Sequence, residues 1–259
     1  MKTIGNTILI TGGGSGIGRG LAEAFHKLGN KVIIAGRRKE VLEQTTAANT
    51  GMSSISLDID DPAAILGFAK KVVAEHPALN VLINNSGIMR LEDLVNHPED
   101  LSVPEATITT NLLGPIRLTS ALLPHLTKQN DSVIMNVTSG LAFAPLAFAP
   151  VYSATKAALH SWTESLRYQL GRTGTKVIEL VPPYVQTELT GPQQTNDPLA
   201  MPLTDFIAES MQILQSQPNV VEVLVENVKP QRFAAEGGTE AYNAQVNGFN
   251  DAVAKMMSA

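Results

Sequence analysis

Short apolar runs alternate with stretches of helical periodicity over most of the chain. Six runs have the length and the β-branched content of strands: Thr7–Ile10, Lys31–Ala35, Ser53–Leu57, Val81–Ile83, Ser132–Val137 and Lys176–Val181. After the first run, the apolar positions Ile17, Leu21 and Phe25 recur at the spacing of one helix face. The pattern therefore predicts strands and helices in alternation.

Further helices follow the later runs. Asp61-Pro62 is typical of an N-cap followed by proline at the first helical position. A helical pattern covers about Glu105–Leu126, where Gly114-Pro115 predicts a kink, and another covers Tyr152–Leu170. Strands this apolar are buried on both faces, and their alternation with helices indicates parallel βαβ units. We expect one α/β domain, residues 1–259, built on a doubly wound parallel sheet with helices on both faces.

The last third of the chain is patterned differently. Residues 182–202 are rich in Pro, Gln, Thr and Asn, which indicates a mobile connection. Leu203–Gln215 has a helical pattern and Val220–Val225 a strand pattern. Beyond Glu226 the polarity rises, and the pattern indicates order less strongly.

The amino-acid composition excludes several classes of function. Apolar residues make up 44% and charged residues 17% of the 259 residues, which is typical of an ordered domain. Cysteine is absent, which excludes disulfides, thiol nucleophiles and iron–sulfur centres. The net charge of −5 argues against nucleic acid as a partner. No apolar run reaches the roughly 18 residues of a membrane span, and no signal-peptide pattern is present, so a cytoplasmic protein is expected.

A glycine-rich turn separates the first strand from the first helix. It reads Thr11-Gly12-Gly13-Gly14-Ser15-Gly16-Ile17-Gly18. Glycine lets the backbone approach a pyrophosphate, and a helix N-terminus adds free N–H groups and a positive dipole end. A ligand-free turn would fit the same letters, but the position after the first βαβ strand favours a nucleotide.

The second strand ends in Gly36-Arg37-Arg38. A dinucleotide fold that binds a free ribose usually places an acidic residue here. Two guanidinium groups instead fit a 2′-phosphate, which favours NADP(H) over NAD(H). The alternative is a solvated arginine pair at the start of a helix.

Tyr152 and Lys156 lie four residues apart, on one face of a predicted helix. A lysine cation beside a phenol lowers the phenol pKa and lets it exchange a proton with an alcohol or carbonyl. Ser139 follows the strand Ser132–Val137, so it reaches the same edge of the sheet. The five histidines lack metal-ligand spacing, and no metal is expected.

Taken together, these residues resemble the short-chain dehydrogenase/reductase family. The motifs that carry the resemblance are Thr11-Gly12-x-x-x-Gly16-x-Gly18, Asp58, Asn84-Asn85-Ser86-Gly87, Asn111, Ser139 and Tyr152-x-x-x-Lys156. The resemblance covers nearly all of residues 3–190 and implies a single-domain Rossmann fold. It also implies a variable substrate loop at about 188–204 and a C-terminal segment, about 203–259, that is atypical here.

The resemblance implies roles for individual residues. Tyr152 is the general acid/base, Ser139 bonds the substrate oxygen, and Lys156 binds the nicotinamide ribose and lowers the Tyr152 pKa. Asn111 holds a water in a proton relay through Lys156. The implied cofactor contacts are Gly12, Ser15, Gly16, Ile17, Gly18, Arg37, Arg38, Asp58, Ile59, Asn85, Gly87, Tyr152, Lys156, Pro182, Val185 and Thr187.

Three features depart from the family pattern. Ser86 replaces an alanine, and Pro183 replaces a glycine, which stiffens the turn before Val185. The C-terminal segment is unlike the helix and strand with which many members build a tetramer. It is similar to a DltE-type oxidoreductase branch, and we expect a homodimer.

The repeated letters Leu141-Ala-Phe-Ala-Pro145 and Leu146-Ala-Phe-Ala-Pro150 lie between Ser139 and Tyr152. If this segment walls the pocket, its Leu and Phe side chains favour a partly apolar substrate. Packing beneath the 192–202 segment is the alternative.

The leading hypothesis is an NADP(H)-dependent oxidoreductase acting on a small carbonyl or alcohol. The alternatives are an NAD(H)-preferring dehydrogenase and a nucleotide-binding sensor or scaffold with little turnover.

Overall fold

A computed structural model describes residues 1–97, 99 and 101–257. Its strands are β1 Thr7–Thr11, β2 Lys31–Gly36, β3 Ser53–Ser56, β4 Val81–Asn84, β5 Val133–Val137, β6 Lys176–Val181 and β7 Glu222–Leu224. Its α-helices are α1 Gly16–Lys27, α2 Lys39–Ala48, α3 Pro62–Glu75, α4 Ser102–Ile108, α5 Gly114–Leu126, α6 Pro150–Leu170, α7 Leu203–Ser216, α8 Lys229–Arg232 and α9 Gly238–Met257. These bounds confirm the predicted alternation to within a few residues.

The seven strands form one parallel sheet in the order β3-β2-β1-β4-β5-β6-β7. Successive side chains of β1 point to opposite faces: Ile8 and Ile10 enter one core cluster and Leu9 the other. One cluster packs under α1 and α7, and the other under α3, α5 and α6. Because both faces are covered, the central strands β1, β2 and β4 are mostly apolar, whereas β3 at the edge is mostly serine and only partly buried.

The kink expected at Gly114-Pro115 takes a different form. A π-helical turn, Thr109–Leu113, separates α4 from α5. A π-turn adds a residue to the helical repeat and re-aims its side chains, and such turns occur frequently at functional sites. Here it carries Asn111.

Both parts of the C-terminal third contain more regular structure than their sequence patterns indicate. Residues 182–202 are not a free connection, because a β-bridge joins Val185 to Met201 and a 3₁₀ turn covers Pro192–Asn196. Regular structure also continues past Glu226, through α8 and the 20 residues of α9. The sequence pattern indicated α9 only weakly, because the apolar stripe of this helix is narrow.

Among the described residues, every helix is too short or too polar to cross a bilayer.

Candidate active site

The carboxyl ends of β1 and β4 meet where the strand order reverses. The Thr11 hydroxyl accepts from the N–H groups of Asn85 at 3.0 Å and Ser86 at 3.1 Å. The Asn85 amide donates back to the Thr11 carbonyl at 3.0 Å. These bonds hold the two strand ends together at the crevice where open α/β sheets bind ligands.

Helix α1 starts directly at this crevice. Gly16, its first residue, has a φ of 51°, in the left-handed region that favours glycine. Ser15 precedes it, but the Ser15 hydroxyl accepts from the Arg38 guanidinium at 2.8 Å and makes no cap to the helix. The first-turn N–H groups, including that of Ile17, therefore lack a Ser15 cap and are suited to a phosphate.

Gly18 has a packing role within this turn. A Cβ at Gly18 would lie 2.3 Å from the Gly12 carbonyl oxygen and 2.4 Å from Asn85 Nδ2. Only glycine therefore lets α1 approach the turn and the end of β4 this closely. Gly18 thus shapes the predicted cofactor site through the backbone of its neighbours.

We expect Gly18→Ala to lower the free energy of unfolding by about 1–3 kcal/mol, because the added methyl group overpacks a tight contact. Dinucleotide affinity should fall with it, since Gly12 and Asn85 would be displaced. Denaturant titration and dinucleotide titration measure the two effects. Gly67→Ala on α3 is the matched control, because a Cβ there meets nothing within 4 Å. Equal stability of Gly18→Ala and wild type would contradict the packing role.

The two arginines after β2 have different partners. Arg37 donates to Asp60 Oδ2 at 2.9 Å, whereas Arg38 donates to Ser15 beside the glycine turn. Asp60 also accepts from the Thr110 hydroxyl at 2.7 Å. The structure therefore places Arg38 nearer to the predicted phosphate turn and ties Arg37 to the loop after β3.

Asp58 and Ile59 follow β3 with opposite exposures. Asp58 is exposed and accepts from the N–H of Asp60 at 3.1 Å. Ile59 is buried, and a Cβ on Gly114 would lie 2.6 Å from its Cγ1. Of the two predicted adenine contacts, Asp58 offers its side chain, while the Ile59 side chain packs against the start of α5.

Tyr152 and Lys156 lie one turn apart in α6, and both are buried. Lys156 Nζ donates to the Val137 carbonyl at 2.8 Å and lies 5.6 Å from the centroid of the Tyr152 ring. Pro150 occupies the first turn of the helix, where its missing N–H costs nothing. The predicted pair is therefore brought together on one helix face beside the end of β5.

The pKa of the tyrosine differs from the expectation. Burial raises the pKa of Tyr152 to about 12, against a lowering effect of its hydrogen bond with Ser139. Burial also lowers the pKa of Lys156 to about 8. Removal from water disfavours the charged forms of both groups. In the protein without a cofactor, this effect outweighs the lowering of the Tyr152 pKa that was expected from Lys156. Tyr152 therefore holds its proton at neutral pH.

Asn111 is held by the backbone after β4. Its Oδ1 accepts from the N–H of Ile88 at 2.8 Å, and its Nδ2 donates to the Ile88 carbonyl at 2.9 Å and to the Thr155 hydroxyl at 3.3 Å. A Cβ on Gly87 would lie 3.3 Å from Asn111 Oδ1 and 3.8 Å from Lys156 Nζ. Gly87 thus leaves open the space between these two polar groups.

Ser139 follows β5 and begins a 3₁₀ turn, Gly140–Ala142, whose Leu141 N–H it caps at 3.1 Å. Gly140 donates to the Pro182 carbonyl at 2.9 Å, which joins the ends of β5 and β6. Ser139 thus lies at the carboxyl end of β5, and its side chain hydrogen-bonds Tyr152.

The segment after β6 turns back toward the glycine loop. Val185 is buried, and its carbonyl accepts from the Gln194 amide at 2.7 Å. Thr187 Cγ2 would lie 3.3 Å from a Cβ on Gly16. Thr187 thus faces the predicted phosphate turn, although Pro183 replaces the usual glycine.

One buried cluster was not predicted from the sequence. Glu179 of β6 is fully buried, accepts from the Thr138 hydroxyl at 2.7 Å and lies 2.8 Å from His160 Nδ1. The hydrogen bond with Glu179 raises the pKa of His160. Glu222 lies nearby, with its ligand atom within 4.8 Å of those of His160 and Glu179.

The contacts of this cluster favour an ion-pair network over a metal site. Arg232 donates to both carboxylate oxygens of Glu222, at 2.9 and 3.1 Å. Its guanidinium also lies 4.6 Å from the centroid of the Phe143 ring, which meets His160 edge-on. The only sequence signal was the position of His160, one turn after Lys156.

The repeated segment divides between two places. Phe143 packs against the main core and Arg232, so it does not wall the space around Tyr152. Leu146 and Phe148 do lie in the cluster that contains Tyr152. Of the two alternatives left open for this repeat, the packing of Leu146 and Phe148 is compatible with a pocket wall and that of Phe143 is not.

Comparisons with known proteins agree with this geometry. A family model described as short chain dehydrogenase matches residues 6–198. The oxidoreductase DltE of Bacillus subtilis (strain 168), itself described as uncharacterized, is 38% identical over 252 residues, which is 97% of this chain and 93% of DltE.

Two solved structures show the fold with a cofactor. Serine dehydrogenase in a closed form complexed with NADP⁺ has a TM-score of 0.74 and 26% identity, over 83% of this chain and 93% of that one. 3-Ketoacyl-(acyl-carrier-protein) reductase from Brucella melitensis complexed with NADH has a TM-score of 0.78 and 25% identity, over 89% and 100%. Because the family match runs from the glycine turn past the Tyr152 helix, and the DltE match covers most of the chain, this protein belongs to the short-chain dehydrogenase family of oxidoreductases.

Proposed function

We propose that the chain is an NADP(H)-dependent oxidoreductase that transfers hydride between nicotinamide and a carbonyl/alcohol pair, with Tyr152 as general acid/base. The observation that carries the proposal is the buried group of Tyr152, Ser139 and Lys156 at the strand ends that border the glycine turn. A scaffold that only binds a nucleotide does not require a proton donor buried beside a cation.

The residues present fit a nicotinamide dinucleotide. Helix α1 offers first-turn N–H groups without a Ser15 cap, and Arg38 adds a positive charge beside them. Lys156 has three N–H donors, of which Val137 takes one, so the others can bond ribose hydroxyls. Gly87 keeps the adjacent space free of a side chain.

A bound nicotinamide supplies or accepts the hydride, and the protein supplies orientation and a proton. The Tyr152 hydroxyl, protonated at neutral pH, donates its proton to the carbonyl oxygen in reduction and accepts one from the alcohol in oxidation. The Ser139 hydroxyl bonds the same oxygen and orients it toward Tyr152. The Lys156 cation stabilises the phenolate that proton donation leaves behind.

Cofactor choice depends on the arginines. We expect Arg38→Ala to weaken NADPH binding about tenfold or more, because a guanidinium–phosphate bond is charge-assisted. NADH affinity should stay nearly unchanged. Arg37→Ala should have a smaller effect, since Arg37 is paired with Asp60. Fluorescence titration of both dinucleotides measures this, with the exposed Arg172→Ala as control. Tighter NADH binding, or full NADPH affinity in both variants, would refute the NADP(H) assignment in favour of an NAD(H)-preferring dehydrogenase.

The activity itself is tested by a panel of neutral and charged aldehydes and ketones with NADPH and NADH, and of the matching alcohols with the oxidised forms. Turnover of any pair supports the proposal. Tight dinucleotide binding with no turnover across the panel would favour the sensor or scaffold function.

A cytoplasmic homodimer belongs to the same proposal. The tail from Glu222 onward folds onto its own domain through Arg232 and α9, which argues against the tetramer-building arrangement of many family members. Light scattering in solution measures the number of subunits.

A further inference from the structure

The C-terminal helix α9 presents one apolar stripe to the rest of the molecule. Tyr242, Val246, Phe249 and Val253 are half-buried and recur every three or four residues. No residue of α9 is fully buried. The helix therefore lies on the surface of the domain and contacts it along this single face.

The stripe ends on the catalytic tyrosine. Tyr152 is buried in a cluster with Leu146 and Ala149, and Phe249 and Val253 of α9 pack against that cluster. The remaining side chains that pack there are Met89, Leu141 and Phe148. Phe249 and Val253 therefore extend an apolar surface on one side of Tyr152, while its hydroxyl bonds Ser139 on another.

One residue fixes the position of the helix on this surface. Asn250 Oδ1 accepts from the Ala147 N–H at 2.6 Å, and Asn250 Nδ2 donates to the Pro145 carbonyl at 3.1 Å. The amide thus satisfies a donor and an acceptor of the backbone between Ser139 and Tyr152, over 100 residues earlier in the chain. This pairing sets which residues of α9 face the catalytic tyrosine.

We propose that α9 is a wall of the substrate pocket, that Phe249 and Val253 are specificity-determining residues, and that the substrate carries a neutral apolar group on its carbonyl or carbinol carbon. The proposal rests on the oxidoreductase function proposed above. A carboxylate placed here would lose its hydration against side chains that offer no hydrogen bond, whereas a hydrocarbon group gains by burial.

The first test is a series of linear aldehydes from propanal to octanal, assayed with NADPH. We expect kcat/KM to rise about three- to fourfold for each added methylene, because burying one CH₂ contributes about 0.8 kcal/mol, which corresponds to that fold-change. Phe249→Ala should lower the octanal-to-propanal ratio of kcat/KM about tenfold, mainly through KM. Met256→Ala, which truncates an exposed apolar residue of the same helix, should leave the ratio unchanged. A ratio that Phe249→Ala does not change would overturn the proposal.

The second test does not depend on turnover. Calorimetric titration of the NADPH-loaded protein, in which an alcohol cannot be oxidised, should show 1-octanol binding at least tenfold tighter than octanoate, and Phe249→Ala should remove this preference. Equal binding of the two would overturn the apolar wall. Octanol preference without oxidation of any alcohol would instead contradict the proposed activity and leave the wall supported.

The Asn250 contact is tested by hydrogen exchange. Asn250→Ala should speed exchange at Ala147 and along α9 and lower the octanal-to-propanal ratio, while Asn243→Ala on the exposed face should do neither. Unchanged exchange at Ala147 in Asn250→Ala would overturn the role of Asn250 in holding the wall.

Discussion

Replacing Tyr152 by phenylalanine is expected to lower kcat for carbonyl reduction about 10²- to 10⁴-fold, the contribution of a positioned general acid. The substitution removes only the hydroxyl. The ring still fills its buried place against Leu146 and Ala149, so the fold and the dinucleotide site should persist. Steady-state kinetics and NADPH titration measure the two properties separately.

The same helix supplies a matched control. Tyr168 is 88% exposed, and Tyr168→Phe should leave kcat unchanged. A Tyr152→Phe enzyme that oxidises NADPH at the wild-type rate would rule out Tyr152 as the acid/base. A variant that loses NADPH affinity as well as rate would show that its effect is not confined to proton transfer.

Replacing His160 by leucine is expected to lower the free energy of unfolding by about 3 kcal/mol at pH 6, the low end for breaking a buried ion pair. The Glu179 carboxyl is fully buried and would keep only the Thr138 hydroxyl as a hydrogen-bond donor. The low end is appropriate because the His160 side chain is 19% exposed.

The effect should depend on pH in a defined direction. The hydrogen bond with Glu179 raises the pKa of His160 above the unfolded value near 6.5. A group whose pKa is raised by folding contributes its full stability below the unfolded pKa and loses it as the pH rises through the folded pKa. The difference in the free energy of unfolding between wild type and His160→Leu should therefore be largest at about pH 6 and should decrease toward pH 9.

Two variants separate charge from hydrogen bonding at this position. His160→Gln keeps a neutral donor and should recover part of the loss, whereas His97→Leu removes an exposed imidazole and should cost little. Denaturant titration across pH measures all three. A gap that is constant from pH 6 to pH 9 would contradict the charged pair.

The ion-pair network connects the elements that carry Ser139 and Lys156 to the C-terminal segment. Thr138 bonds Glu179 and directly precedes Ser139, while His160 follows Lys156 by one turn. Arg232, shortly before α9, binds Glu222 and stacks on Phe143. Disturbing Glu179 should therefore affect both Ser139 placement and the docking of the chain that leads to α9.

Much of the fold could be predicted because its signals are local. Runs such as Ile8–Ile10 and Ile33–Ala35 are apolar throughout, which is typical of strands buried on both faces. Tyr152 and Lys156 meet because four residues make about one helical turn. The glycine turn was recognisable because only glycine fits where Gly18 approaches Gly12 so closely.

Other features could not be predicted because distant contacts decide them. Asn111 lies in a π-helical turn, and its side chain accepts a hydrogen bond from the Ile88 N–H. Arg37 and Arg38 carry the same charge and are adjacent, yet one pairs with Asp60 and the other with Ser15. Phe143 and Phe148 occupy matching places in a repeat, but their neighbours come from different parts of the chain.

The strand–helix alternation, the glycine turn and the tyrosine–lysine pair could be recognised in the amino-acid sequence, because each depends on residues a few positions apart. The surroundings of Tyr152, by contrast, depend on contacts between distant parts of the chain. Burial raises the pKa of Tyr152 to about 12, and α9 is held beside the same cluster by the hydrogen bond between Asn250 and Ala147, 103 residues apart in the chain. Desolvation and long-range docking depend on the whole folded surface, and no local pattern of polar and apolar residues specifies them.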